Sequence, residues 1–74
     1  MNKNARIREC LRRAGLVRLP RDDADDLVAC GMDSLLSVLT VIELQKEFAT
    51  LIPPHAVKVA SFDSVNHLAA LVPD

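Results

Sequence analysis

Aromatic residues are nearly missing from this chain: it has no tryptophan and no tyrosine, and only Phe48 and Phe62 among 74 residues. Any core must therefore be built from Leu, Val and Ile, which suits helices packed through aliphatic stripes. Glycine occurs only twice and no Val/Thr/Tyr alternation is present, which argues against a sheet. No apolar run approaches the ~18 residues of a membrane span. Asn2-Lys3-Asn4 is not followed by a signal-peptide core either, so a cytoplasmic location without a membrane partner is expected. Two cysteines, Cys10 and Cys30, are too few for a metal site, and His55 and His67 are not spaced to complete one. The expectation is two reduced thiols, buried or half-buried, and no metal.

Net charge is close to zero, but the signs are segregated. Residues 1–21 carry seven basic side chains against Glu9, and residues 22–74 carry Lys46 and Lys58 against nine acids. No aromatic residue interleaves the arginines to stack on bases, and the acidic remainder would repel phosphate, so no nucleic-acid partner is expected. The basic face is expected to be solvated or to pair with the acidic part of the fold.

Ile7, Cys10, Leu11 and Ala14 recur at i, i+3, i+4 and i+7, predicting a helix over residues 4–14 that Gly15 terminates in a left-handed cap. Residues 16–33 form a long connection, with Leu16, Val17 and Leu19, then Leu27 and Val28, as candidate anchors to the core. The acidic run Asp22-Asp23-Ala24-Asp25-Asp26 lacks the alternating ligands, central glycine and closing glutamate of a calcium loop, and is expected to be a solvated loop. Asp33 is a good N-cap for a second helix from about Ser34 to Phe48 or Thr50. On that helix Val41, Leu44 and Phe48 form one apolar stripe and Leu35, Leu39 and Ile42 another, with Val38 between; Thr40, Glu43 and Glu47 mark the wet side. The apolar arc exceeds the ~100° that packing on one side requires. Periodicity alone leaves open whether the helix is simply central or whether Leu35, Val38, Leu39 and Ile42 form an exposed docking surface. Pro53 and Pro54 can start a short helical turn over His55–Val59, and His55 is expected at the surface. A last helix, capped by Ser61, Asp63 or Ser64, carries Phe62, Val65, Leu68, Ala69 and Val72 on one face with His67 beside them, and ends at Pro73. No metal-ligating or catalytic cluster is expected.

The serine of Gly31-Met32-Asp33-Ser34-Leu35 falls at a helix N-terminus, where outward N–H groups and the macrodipole favour an attached anion. From this motif outwards the chain resembles the acyl carrier proteins, the phosphopantetheine-binding four-helix domains of fatty-acid, polyketide and nonribosomal-peptide assembly. The resemblance spans the whole chain. It includes the amphipathic first helix, the long loop to Asp-Ser-Leu and Phe48 fourteen residues after the serine. The proline-bearing turn and Phe62-Asp63-Ser64-Val65-Asn66-His67-Leu68 belong to it as well. It implies a single all-α domain over 1–74, a small four-helix bundle of three longer helices and one short third helix, with a long loop between the first two. It also implies that Ser34 takes a covalent 4′-phosphopantetheine from coenzyme A, moved by a phosphopantetheinyl transferase with Mg²⁺, and that Asp33 and Leu35 are read by the transferase and other partners. The expected role is that of a free-standing, non-catalytic, monomeric carrier. Its partners would be an acyl- or aminoacyl-loading ligase and a downstream synthase or transferase.

Two departures bear on the type of carrier. Where fatty-acid carriers present acids along the second helix, this chain has Leu39, Gln45 and Lys46, which shifts recognition towards the apolar stripe and towards specialised polyketide or peptide biosynthesis. Asp33 stands where many peptidyl carriers have His, which points back to the acyl type. An unmodified interaction module and a housekeeping fatty-acid carrier remain as alternatives. A serine hydrolase is disfavoured, since the Gly-x-Ser-x-Gly elbow is absent and the chain is too short for the sheet that displays it.

Overall fold

The computed structural model describes residues 2–73. These form three α-helices, α1 (Lys3–Ala14), α2 (Ser34–Glu47) and α3 (Val65–Ala69), with 3-10 turns at Val28–Cys30, Pro54–Ala56 and Val59–Phe62, and no strand. The helix expected in the third place of the bundle is thus two successive 3-10 turns, and the final helix is five residues long rather than one of three longer ones. At that end Ala70 and Leu71 donate to the carbonyls of His67 and Leu68, three residues back, so the last turn tightens instead of extending.

Local chemistry accounts for the helix limits. The Asn2 side chain accepts the Ala5 N–H at 2.8 Å to open α1. Gly15, at φ +117°, and Leu16 close it by donating to Arg12 and Leu11. This is the double bond of a Schellman ending, in which the left-handed residue pays no Cβ penalty. At the end of α2 the same geometry recurs with Ala49 at φ +49°, where Thr50 N–H donates to Gln45 C=O at 3.2 Å. The side chain of Gln45 then accepts the Ile52 N–H and starts the chain towards Pro53.

Ile7, Cys10 and Leu11 from α1, Leu27 from the long connection, Leu44 from α2, and Val65 and Leu68 from α3 are fully buried together. Val41 and Phe48 pack against this layer from α2, as the stripe through Leu44 requires. Each buried aliphatic side chain contributes about 1.5–3 kcal/mol, against about 0–1 kcal/mol for an exposed ion pair. The aliphatic layer therefore holds the fold, and the ion pairs decide which face of α2 meets α1.

That face differs from the expected one. Thr40, expected on the wet side, is completely buried, and Glu43 and Glu47 turn inwards to the arginines of α1. Arg13 reaches Glu43 at 3.2 Å and Glu47 at 3.0 Å, while Arg6 binds Glu47 Oε2 and its backbone C=O, both at 2.8 Å, and lies over the Phe48 ring. The basic face of α1 has found its acids within the fold, and its opposite charges explain why a polar side of α2 faces inwards.

The long connection is anchored more sparingly than its apolar content suggests. Leu16 and Leu27 are buried, but Val17, Leu19 and Val28 face solvent. Backbone bonds do the remaining work: Leu27 N–H donates to Asp63 C=O at 2.9 Å and Asn66 N–H to Asp23 C=O at 3.0 Å. The Asp23 carboxylate also accepts from Arg8 and Asn4, so one residue of the acidic run is a structural clasp and not merely solvated. Cys10 is buried, Cys30 half-buried, and both are free thiols.

Candidate functional site

The approach to α2 is a sharp turn built on three residues. Gly31 adopts φ +107° and donates to Val28 C=O, a conformation that side chains disfavour even though open space surrounds it. Met32 is buried, and its N–H bonds to Leu27 C=O at 3.0 Å, which pins the turn from below. Asp33 then caps the helix by accepting the Leu36 N–H at 2.9 Å. Ser34, the first residue of α2, is lifted into solvent, with Leu35 beside it 66% exposed. Ser37, one turn on, is half-buried and donates its hydroxyl to Asp33 C=O at 2.8 Å.

Beside Ser34 a groove of about 480 Å³ runs between α2 and the 3-10 turns, lined by Met32, Val57, Lys58, Phe62 and Asp63 among others. It continues through Ser37, Val57 and Phe62 into a second groove of about 410 Å³ bordered by Val38, Ile42 and Ile52. Its lining is mainly apolar, and Ser34 is part of it. Sequence reasoning missed Val57, Lys58 and Phe62 as parts of this surface. They lie far from Ser34 in the chain, and no local pattern links them to it.

Val38, Leu39 and Ile42 are 59%, 37% and 41% exposed and, with Leu35, form an apolar face on the outside of α2. Gln45 is occupied by the Ile52 N–H, and Lys46 lies within 3.6 Å of Glu43. The acids nearest this face are thus drawn off towards α1, which leaves the outer surface of the helix largely apolar.

Neither histidine is turned towards the serine. His67 faces Ser64, with Nδ1 2.7 Å from its hydroxyl, and lines a separate hollow with Ala56 and Leu71; His55 is exposed on the proline turn. Among the described residues no group of three or more His, Cys, Asp or Glu could hold a metal ion, and no helix is long and apolar enough to cross a membrane. Ser34 and its groove fit a flexible phosphodiester-linked arm: the serine is exposed, and a mainly apolar groove lies beside it.

A search of curated proteins finds no match to the chain. The family model described as "Phosphopantetheine attachment site" matches residues 5–72, nearly the whole of it. With an exposed helix-capping Asp-Ser-Leu at the centre of that span, the chain belongs to the phosphopantetheine attachment site family, the carrier domains whose cofactor is a 4′-phosphopantetheine held covalently on a serine.

Proposed function

We propose that Ser34 is the attachment serine and that residues 1–74 act as one carrier unit of the acyl carrier type, with a four-helix plan whose third place is filled by the 3-10 turns. The observation that carries this is the exposure of Ser34 at the first position of α2, in the Gly31–Leu35 turn, within the matched span. Bound there, the arm supplies a terminal thiol that holds an acyl or aminoacyl group as a thioester. The protein's own residues do no bond-making on that cargo. Met32 and Asp33 fix the turn, the groove offers the arm a path, and the outer face of α2 serves as an address.

Leu35, Val38, Leu39 and Ile42 are the partner surface, first for the phosphopantetheinyl transferase, with Asp33 beside them, then for a loading ligase and a downstream synthase or transferase. Two features support an apolar mode of recognition: all four are exposed, and Glu43 and Glu47 are engaged with α1. Recognition without an acidic helix favours a carrier of specialised polyketide or nonribosomal-peptide biosynthesis, monomeric and cytoplasmic. Incubation with coenzyme A, Mg²⁺ and a broad-specificity transferase tests the reading. The protein gains the mass of one phosphopantetheine, and Ser34→Ala gains none; a wild-type chain that no transferase loads would overturn it.

A further inference from the structure

The groove beside Ser34 contains a charge arrangement that the attachment itself does not explain. Asp33 and Asp63 both line it, and a phosphodiester on Ser34 adds a third negative charge. Lys58 is the one cationic residue among the lining residues. Its side chain is exposed and forms no ion pair among the described residues, whereas Arg6, Arg8, Arg12, Arg13 and Lys46 are all engaged with carboxylates. Arg18, also without such a pair, lines a different hollow with Cys30 and Leu36. Lys58 is held at the entry to the last 3-10 turn, where its N–H donates to Ser61 Oγ at 3.1 Å and directs the backbone into the wall that carries Val57 and Phe62.

We propose that Lys58 pairs with the phosphodiester on Ser34 and turns the arm into the groove between α2 and the 3-10 turns, towards Val57 and Phe62. An ammonium is a compact point charge suited to a phosphate oxygen, and charge-assisted hydrogen bonds of this kind are the stronger ones. The pairing is reversible and close to water, so it biases the resting direction of the arm without locking it away from partner enzymes. The inference rests on the reading that Ser34 carries the arm.

The test loads wild type, Lys58→Gln, Lys58→Arg and Arg18→Gln with phosphopantetheine and verifies each by mass. In isotope-labelled protein bearing an unlabelled arm, contacts from the arm to Val57 and Phe62 are measured by filtered nuclear Overhauser effects, together with the ³¹P resonance. Lys58→Gln should lose roughly two- to fivefold in those contacts and shift the phosphorus signal, the scale expected of an exposed ion pair. Lys58→Arg should restore both, and Arg18→Gln should change neither. Sodium chloride added to the wild type should weaken the contacts in parallel, which keeps the proposal testable should a variant misfold. Contacts and phosphorus shift that are indifferent to Lys58→Gln and to salt, or that respond to Arg18→Gln instead, overturn the proposal. Failure of loading in the wild type would instead strike at the role of Ser34.

Discussion

Leu39 and Thr40 are neighbours on α2 with inverted environments: the leucine is 37% exposed, whereas the threonine is wholly buried with no partner for its hydroxyl. A helix selected only for stability would exchange those polarities. The apolar residue is displayed outside at the expense of solubility, and the polar one lies inside without a hydrogen bond. The arginines of α1 fix this orientation by drawing Glu43 and Glu47 inwards and carrying Thr40 with them.

The buried hydroxyl gives a stability prediction. An unpaired buried polar group costs about 1–3 kcal/mol, and valine replaces threonine with nearly the same shape. Thr40→Val should raise the melting temperature and the denaturant midpoint by an amount corresponding to about 1 kcal/mol, since valine and threonine have nearly the same helix propensity. Thermal and urea unfolding check this; a destabilised variant would mean that the hydroxyl has a partner in solution.

Leu39→Glu tests the outer face. Glutamate is a good helix former and position 39 already meets water. The variant should keep its helical circular dichroism and melt within about 0.5 kcal/mol of wild type. Its affinity for the partner enzyme should fall severalfold, measured by titration calorimetry or by loading kinetics. Unfolding of Leu39→Glu would place the residue in the core and remove it from the docking face.

The clasp between α1 and α2 makes stability depend on acid pH. Hydrogen bonds from Arg6 and then Arg13 hold the Glu47 carboxyl below the usual carboxylate range, and Asn4 and Arg8 do the same for Asp23. A depressed folded-state pKa contributes stability that is present above the unfolded value and is lost as pH falls through the lower folded values. Unfolding free energy should therefore decline from about pH 5 downwards. Glu47→Gln should flatten that decline while lowering stability at neutral pH. An unchanged pH profile in Glu47→Gln would show that the clasp contributes nothing measurable.

Features governed by neighbours in the chain were legible from the sequence alone. The apolar face of α1, the Gly15 ending and the Asp33 cap each depend on residues within one turn and form as the pattern predicts, and of the three caps open for the last helix the structure takes Ser64. The orientation of α2 was not legible in the same way, because periodicity gives the angle between stripes but not which stripe meets α1. That choice belongs to Arg6 and Arg13, more than thirty positions away. Val17 and Val28 illustrate the same limit, since a long loop needs only some of its apolar residues as anchors. The turns after Pro53 and the shortness of α3 depend on bonds to the third rather than the fourth residue back, a small difference that composition does not encode. Ser34 stands out by its motif; the groove beside it does not, because Lys58 and Phe62 arrive from a separate segment.

The central claim concerns one hydroxyl among several, and Ser37 supplies the sharpest control. It sits one turn from Ser34, but its hydroxyl already donates to Asp33 C=O and it is half-buried. Fragmentation of the peptide containing both serines, after loading from coenzyme A, locates the added group directly. The account predicts the full phosphopantetheine mass on Ser34 and none on Ser37. An arm found on Ser37, or on any residue outside the Gly31–Leu35 turn, would contradict it.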